Sequence, residues 1–106
     1  PGLSAVVLAS SDGFEVAACV RDETEVAKLA AMSCSISALG AMAGAESRIG
    51  HCRSVMIEAD EGYSVIIEVP HPSFPMIMNL VAPSSEVLGQ VLYLAKRTAA
   101  ELALVG

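Results

Sequence analysis

The stretch Asp22–Ser47, DETEVAKLAAMSCSISALGAMAGAES, decides the fold. Asp22 suits an N-cap, and Glu25 three residues on completes a capping-box pattern, so a helix is expected to open here. Glu23 and Glu25 add negative charge to the first turn, where the helix dipole favours it. No proline follows until Pro70. Gly40 and Gly44 weaken the helix by about 1 kcal/mol each relative to alanine. At about 100° per residue, Val26, Leu29, Met32, Ile36, Leu39 and Ala43 fall on one broad face. Ala27, Ala30, Ala31, Cys34, Ser37, Ala38, Ala41 and Ala45 fall on the opposite one. Only a narrow seam carries Lys28, Ser35 and Glu46. A helix without a wet side is buried on more than one side. The large residues are expected on a sheet and the small ones against another helix backbone. So short a chain offers one other helix, so the second cover is expected from another molecule. Gly40-Ala41-Met42-Ala43-Gly44 has GxxxG spacing, read here as close packing.

Around this stretch, 106 residues bound a single domain. Hydrophobic residues make up 54% of it, and mean hydropathy is +0.59. The Ala31–Ala45 region comes nearest to a membrane span, but its residues are small and weakly apolar, so no span is expected. No basic segment precedes an apolar core, so no signal peptide is read. Excess apolarity without a span points to an oligomer. A net charge of −6 argues against nucleic acid, which calls for clustered Lys and Arg. Cys19, Cys34 and Cys52 are odd in number and widely spaced, which fits reduced cytoplasmic thiols better than a disulfide framework.

Upstream, Ser4–Ser10 and Phe14–Val20 read as strands joined by Ser11-Asp12-Gly13, an Asp-Gly hairpin signal. Downstream, Gly50 is placed to end the helix. Arg53–Ala59 and Tyr63–Val69 alternate as strands around the Asp60-Glu61-Gly62 turn. Pro70–Pro75, with three prolines, reads as a loop. Met76–Ala82 reads as a fifth strand. Ser84 is the expected N-cap of a last helix, with Glu86 in its first turn. That helix carries a stripe of Val87, Leu88, Val91, Leu92, Leu94, Ala95, Thr98, Ala99 and Leu102. Gln90, Lys96, Arg97 and Glu101 keep one side wet. The order β-β-α-β-β-β-α with short connections predicts an α+β fold: a five-stranded antiparallel sheet, the long central helix on one face and the C-terminal helix on the other.

Three segments resemble the Roadblock / dynein light chain domain family. Gly2–Leu8 with Asp12-Gly13 is similar to its first hairpin. Asp60-Glu61-Gly62-Tyr63 with Val69-Pro70 is similar to its third and fourth strands. Leu80-Val81-Ala82, Ser85, Leu88-Gly89 and Ala99–Leu102 are similar to its last strand and helix. The resemblance implies one Roadblock-like domain over residues 1–106. It also implies a homodimer with central helices side by side and third strands paired, placing Thr24–Ser47 and Arg53–Ala59 at the interface. The expected contact residues are Ala27, Ala30, Ala31, Cys34, Ala38, Ala41, Val55 and Ile57. The implied partner is a small Ras-like GTPase, met by an exposed seam of Lys28, Ser35, Met42 and Glu46. Family members usually begin with a further helix that this sequence lacks, through a cut or as a natural short form. The sheet face shared with the last helix is then expected to be partly bare.

Chemistry is sparse. His51-Cys52 and His71 form the only obvious reactive set. Neighbours on an extended segment point apart, so His51 is ill placed to activate Cys52. The set also falls short of a zinc site. Glu58 and Glu68, with Asp60 and Glu61, read as solvated edge charges rather than a catalytic pair. The phosphate-binding pattern GxxxxGK[ST] is absent, so no nucleotide hydrolysis is inferred. Arg48 and Arg53 are possible trans-acting arginines, weighed against plain surface solvation. The sequence thus predicts a non-catalytic, cytoplasmic homodimeric regulator or scaffold with no cofactor, no metal and no catalytic residue. Two alternatives stand beside it: a small-molecule sensor or ligand-binding module on a profilin-like sheet, and a thiol enzyme at Cys52.

Overall fold

The computed structural model describes residues 2–21 and 25–105. Its elements are β1 (Ala5–Ser10), β2 (Glu15–Val20), α1 (Val26–Glu46), β3 (Ser54–Ala59), β4 (Gly62–Val69), β5 (Met76–Pro83) and α2 (Leu88–Ala103). The strands form one sheet in the order β2-β1-β5-β4-β3, antiparallel at every pairing. The fold class is therefore the expected one, with a helix on each face.

Alternation along the strands sorts the core. Val65, Ile67 and Val69 of β4 share a side with Met78, Leu80 and Ala82 of β5, under Val91, Ala95 and Ala99 of α2. On the other side Val7 and Ala9 meet Ala30, with Val26 and Leu29 at the margin. α2 rests on β4 and β5 alone. The same face of β1 and β2 is left thinly covered: Val6 and Leu8 are half-buried, and their cross-strand partners Cys19 and Ala17 are exposed. The Pro70–Pro75 loop is held by His71. Its Nδ1 accepts the amides of Ser73 (3.0 Å) and Phe74 (3.1 Å), and its Nε2 meets the carbonyl of Val105.

Four expectations about the helices need correction. α1 opens with Glu25 as N-cap, not as the third residue of a capping box. Its carboxylate reaches Lys28 Nζ at 2.8 Å. Asp22, Glu23 and Thr24 lie outside the described residues. α1 ends at Glu46 with Ser47 as C-cap, and Arg48 rather than Gly50 takes the left-handed position that closes it. The Arg48 amide bonds Ala45 O, the Ile49 amide bonds Gly44 O at 3.1 Å, and Arg48 itself sits at φ 58°. This is a Schellman cap with an arginine where glycine is usual; Gly50, at φ 94°, makes the next reversal. α2 opens later than expected. Ser84 gives its amide to Glu61 O, and a turn closes from Pro83 O to the Glu86 amide, so the helix starts after Val87. Val87 is thus exposed ahead of the helix, outside the predicted stripe.

The fourth correction is the largest. Neither predicted face of α1 lies on the sheet as a whole: Val26, Leu29 and Ile36 of the large face are half-buried, and Ala27, Ala31, Ala38, Ala41 and Ala45 of the small face are exposed. Ala30, Ser33 and Gly44 are its buried residues, whereas Met32 and Leu39 stand in solvent. A Cβ on Gly40 would come within 2.8 Å of Val55 Cγ2 and 2.9 Å of Cys52 Sγ; one on Gly44 would lie 2.6 Å from Gly50 O. The GxxxG pair therefore is a close-packing site, but what packs there is residues 50–55 rather than another helix. By length and composition alone α1 is long and apolar enough to cross a membrane, with mean hydropathy 1.5. Yet it lies along a sheet with two open edges, and such edges have no place in hydrocarbon.

Candidate functional site

Once its inner face is seated, α1 shows three outward strips. Directly opposite the sheet run Lys28, Ser35, Met42 and Glu46, the predicted partner seam, all exposed. Lys28 is held by Glu25, and Ser35 Oγ donates to Ala31 O at 3.2 Å, which leaves Met42 as the seam's apolar centre. One flank borders the β1–β2 hairpin. Gly13 of that turn lies against Ala31 and Cys34, and Cys34 Sγ donates to Ser11 O at 3.0 Å. The other flank borders β3, which Gly40 touches through Val55, and carries Met32, Ile36, Leu39 and Ala43.

The predicted interface residues scatter over these strips. Ala27, Ala38 and Ala41 are exposed on the hairpin side with Ala31. Ala30 is 0% exposed beneath β1 and cannot touch a second molecule, because it packs on Val7 and Ala9. Val55 is half-buried under Gly40, while Ile57, on the same face of β3, is left exposed. The apolar surface beside β3 is instead built from large residues. Met32, Leu39 and Met42 are 51%, 62% and 66% exposed, and Ile57 of β3, on the same side of the sheet, is 39% exposed. β3 is an outer strand, so one row of its amides and carbonyls faces away from the sheet. An apolar helix flank alongside an open strand edge is an adhesive surface.

The reactive side chains do not assemble. His51 Nε2 lies 2.6 Å from Glu68 Oε1. Cys52 Sγ turns to Ser54 O at 3.5 Å. His71 serves the β4–β5 loop. Glu58 pairs with Tyr63 and Glu68 with Ile77, on opposite faces of the sheet, so the two glutamates do not meet. The three cysteines are unpaired. Two clefts stand out. One, of about 670 Å³, is bounded by His51, Arg53, Glu68 and Lys96. The other, of about 650 Å³, lies on the thinly covered side among Leu8, Val16, Phe74, Met76, Leu102 and Val105.

One buried feature escapes the sequence reading. Ser64 Oγ donates to Asn79 Oδ1 (2.6 Å), Asn79 Nδ2 to Ser33 Oγ (2.9 Å), and Ser33 Oγ to Leu29 O (2.7 Å). This chain ties α1 to the two middle strands and fixes which face of α1 is inward, since a buried amide left unpaired costs about 1–3 kcal/mol. Its signal was a lone asparagine inside the apolar run Met76–Ala82.

No protein-family model matches the chain, and no curated protein matches it. Solved structures do. The Roadblock/LC7 domain from Streptomyces avermitilis superposes with a TM-score of 0.83 at 19% identity, covering 96% of this chain and 83% of that one. The gliding protein MglB from Thermus thermophilus gives 0.84 at 17% identity, covering 96% and 76%. An MglB with a tetrameric arrangement gives 0.82 at 19%, covering 96% and 76%. The chain has the Roadblock fold.

Proposed function

We propose that this Roadblock-fold chain is a non-catalytic, homodimeric regulatory or scaffold domain that binds a small Ras-like GTPase in the cytoplasm. The observation that carries the reading is the exposed apolar flank of α1 running beside the open edge of β3. Two copies set side by side cover both at once. The Met32, Leu39 and Ala43 flanks meet across a two-fold axis, and the β3 edges join into one ten-stranded sheet. The seam of Lys28, Ser35, Met42 and Glu46 then stays outward for the GTPase. The tetrameric arrangement of one MglB with this fold supports self-association. The separation of Cys52 from both histidines supports a non-catalytic role, and three unpaired thiols fit a reducing compartment.

Light scattering at micromolar concentration is expected to give twice the chain mass. Immobilised chain is expected to retain a Ras-like GTPase in one nucleotide state over the other, and Met42→Glu to abolish retention without changing the mass. A monomer at all concentrations removes the dimer. Failure to retain any such GTPase in either state removes the partner.

The apolar cleft of about 650 Å³ favours one second reading, a ligand-binding module. Its test is a small molecule that copurifies with the chain and raises the melting temperature when added back.

A further inference from the structure

β3 is oppositely charged at its two ends. His51 and Arg53 precede it, and Lys96 of α2 joins them around the cleft of about 670 Å³. Glu58, Asp60 and Glu61 stand exposed at the other end. Among the described residues, Arg53 and Lys96 make no ion pair, and neither do these three acids. Two unpaired cations thus face one cleft, whose own acid, Glu68, is taken up by His51 at 2.6 Å.

We propose that this cleft is the socket for the Glu58–Glu61 turn of a second copy, so that charge fixes the direction and register of strand pairing. This rests on the homodimer reading above and deepens it. In an antiparallel pair, residues directly opposite share a face of the sheet. A two-fold axis perpendicular to the sheet must therefore pass beside a residue, not between two. With the axis at Met56, near the middle of β3, Ser54 lies across from Glu58 of the second copy. Arg53 then lies across from Ala59, Cys52 from Asp60, and His51 from Glu61. Each basic end runs along an acidic end, and symmetry makes the contact twice. A parallel pairing sets basic on basic and acidic on acidic. A slip of several residues withdraws the acids from the socket. The apolar flank supplies adhesion, and the charges choose one geometry.

Two variants test this. One reverses the socket, Arg53→Glu with Lys96→Glu; the other reverses the turn, Glu58→Lys with Asp60→Lys. All four side chains are exposed, so the fold is expected to survive, as circular dichroism checks. Alone, each variant presents like charges at both ends and is expected to dimerise about tenfold or more weakly in sedimentation equilibrium. Mixed in equal amounts they are expected to recover wild-type affinity as a heterodimer, because each reversed end meets its complement. The wild-type dimer is expected to weaken about tenfold between about 50 and about 500 mM salt, as screening shortens the reach of the pairs. The salt titration stands even if a variant misfolds. Variants that dimerise like wild type, a mixture that stays dissociated, or a salt-insensitive dimer overturn the socket while leaving the dimer intact. A wild-type chain that is monomeric throughout overturns the dimer reading itself.

Discussion

α1 and α2 cover opposite faces of one sheet by different means. α2, 16 residues long, buries Val91, Ala95 and Ala99 and keeps Gln90, Lys96, Arg97 and Glu101 in water. Its polarity contrast states which way it faces. α1, 21 residues long, has almost no such contrast: it buries Ala30, Ser33 and Gly44 and exposes Met32, Leu39 and Met42. A helix apolar all round does not reveal its inner side through hydrophobicity. Shape and hydrogen bonding decide it instead, through two glycines that admit residues 50–55 and a serine that meets Asn79. The large side chains left outside form the exposed flank on which the proposed dimer rests.

The sharpest way to break this comparison is to place the same charge on both sides of α1. Ala30→Glu puts an unpaired carboxylate under β1, where no solvent reaches. A cost of about 3–5 kcal/mol is expected, a large part of a small domain's stability. Leu39→Glu is expected to leave monomer stability within about 0.5 kcal/mol of wild type while abolishing the proposed dimer. Urea denaturation at a dilution where both are monomeric separates fold from assembly. Equal costs at the two positions mean that the outer flank is covered within the chain.

Glycine-to-alanine changes sharpen the contrast with opposite signs. Gly44→Ala sets a Cβ 2.6 Å from a backbone carbonyl that cannot swing away. A loss of about 1–3 kcal/mol is expected from the forced shift. Gly89→Ala in the first turn of α2 meets nothing within 4 Å. A gain of up to about 1 kcal/mol is expected from helix propensity alone. Melting temperatures that move in the same direction for both would remove close packing as the reason for the α1 glycines.

The same contrast explains what was legible in the sequence. Strand period, the Asp12-Gly13 and Asp60–Gly62 turns and the wet side of α2 are local signals, and they placed every element. The facing of α1 was not local. It depends on Ser33 and Asn79, which are 46 positions apart, and on a chain segment that reaches Gly40 and Gly44 only after the fold is made. The predicted contact residues scatter for that reason: Ala30 lies inward, Ala31 and Cys34 lie beside the hairpin, and Met32 and Leu39 lie on the β3 side. Caps shifted because competing backbone bonds, such as Ser84 to Glu61, are invisible until distant strands meet.

The smallest expected effect lies where the helices end. α2 closes at Leu104 with φ −93°, an ordinary right-handed ending. α1 closes through Arg48 at φ 58°, which costs an L-residue about 1 kcal/mol or more. Arg48→Gly is therefore expected to stabilise the fold by roughly 0.5–1 kcal/mol, seen as a raised urea midpoint. The sequence also offers Arg48 as a trans-acting arginine, set against plain surface solvation. Arg48→Lys separates the two roles, because it keeps the backbone conformation and the charge but removes the planar guanidinium. If Arg48 acts in trans on a GTPase, both substitutions lower stimulated hydrolysis although only one changes stability. If it is merely solvated, Arg48→Gly raises stability and leaves the partner's rate untouched.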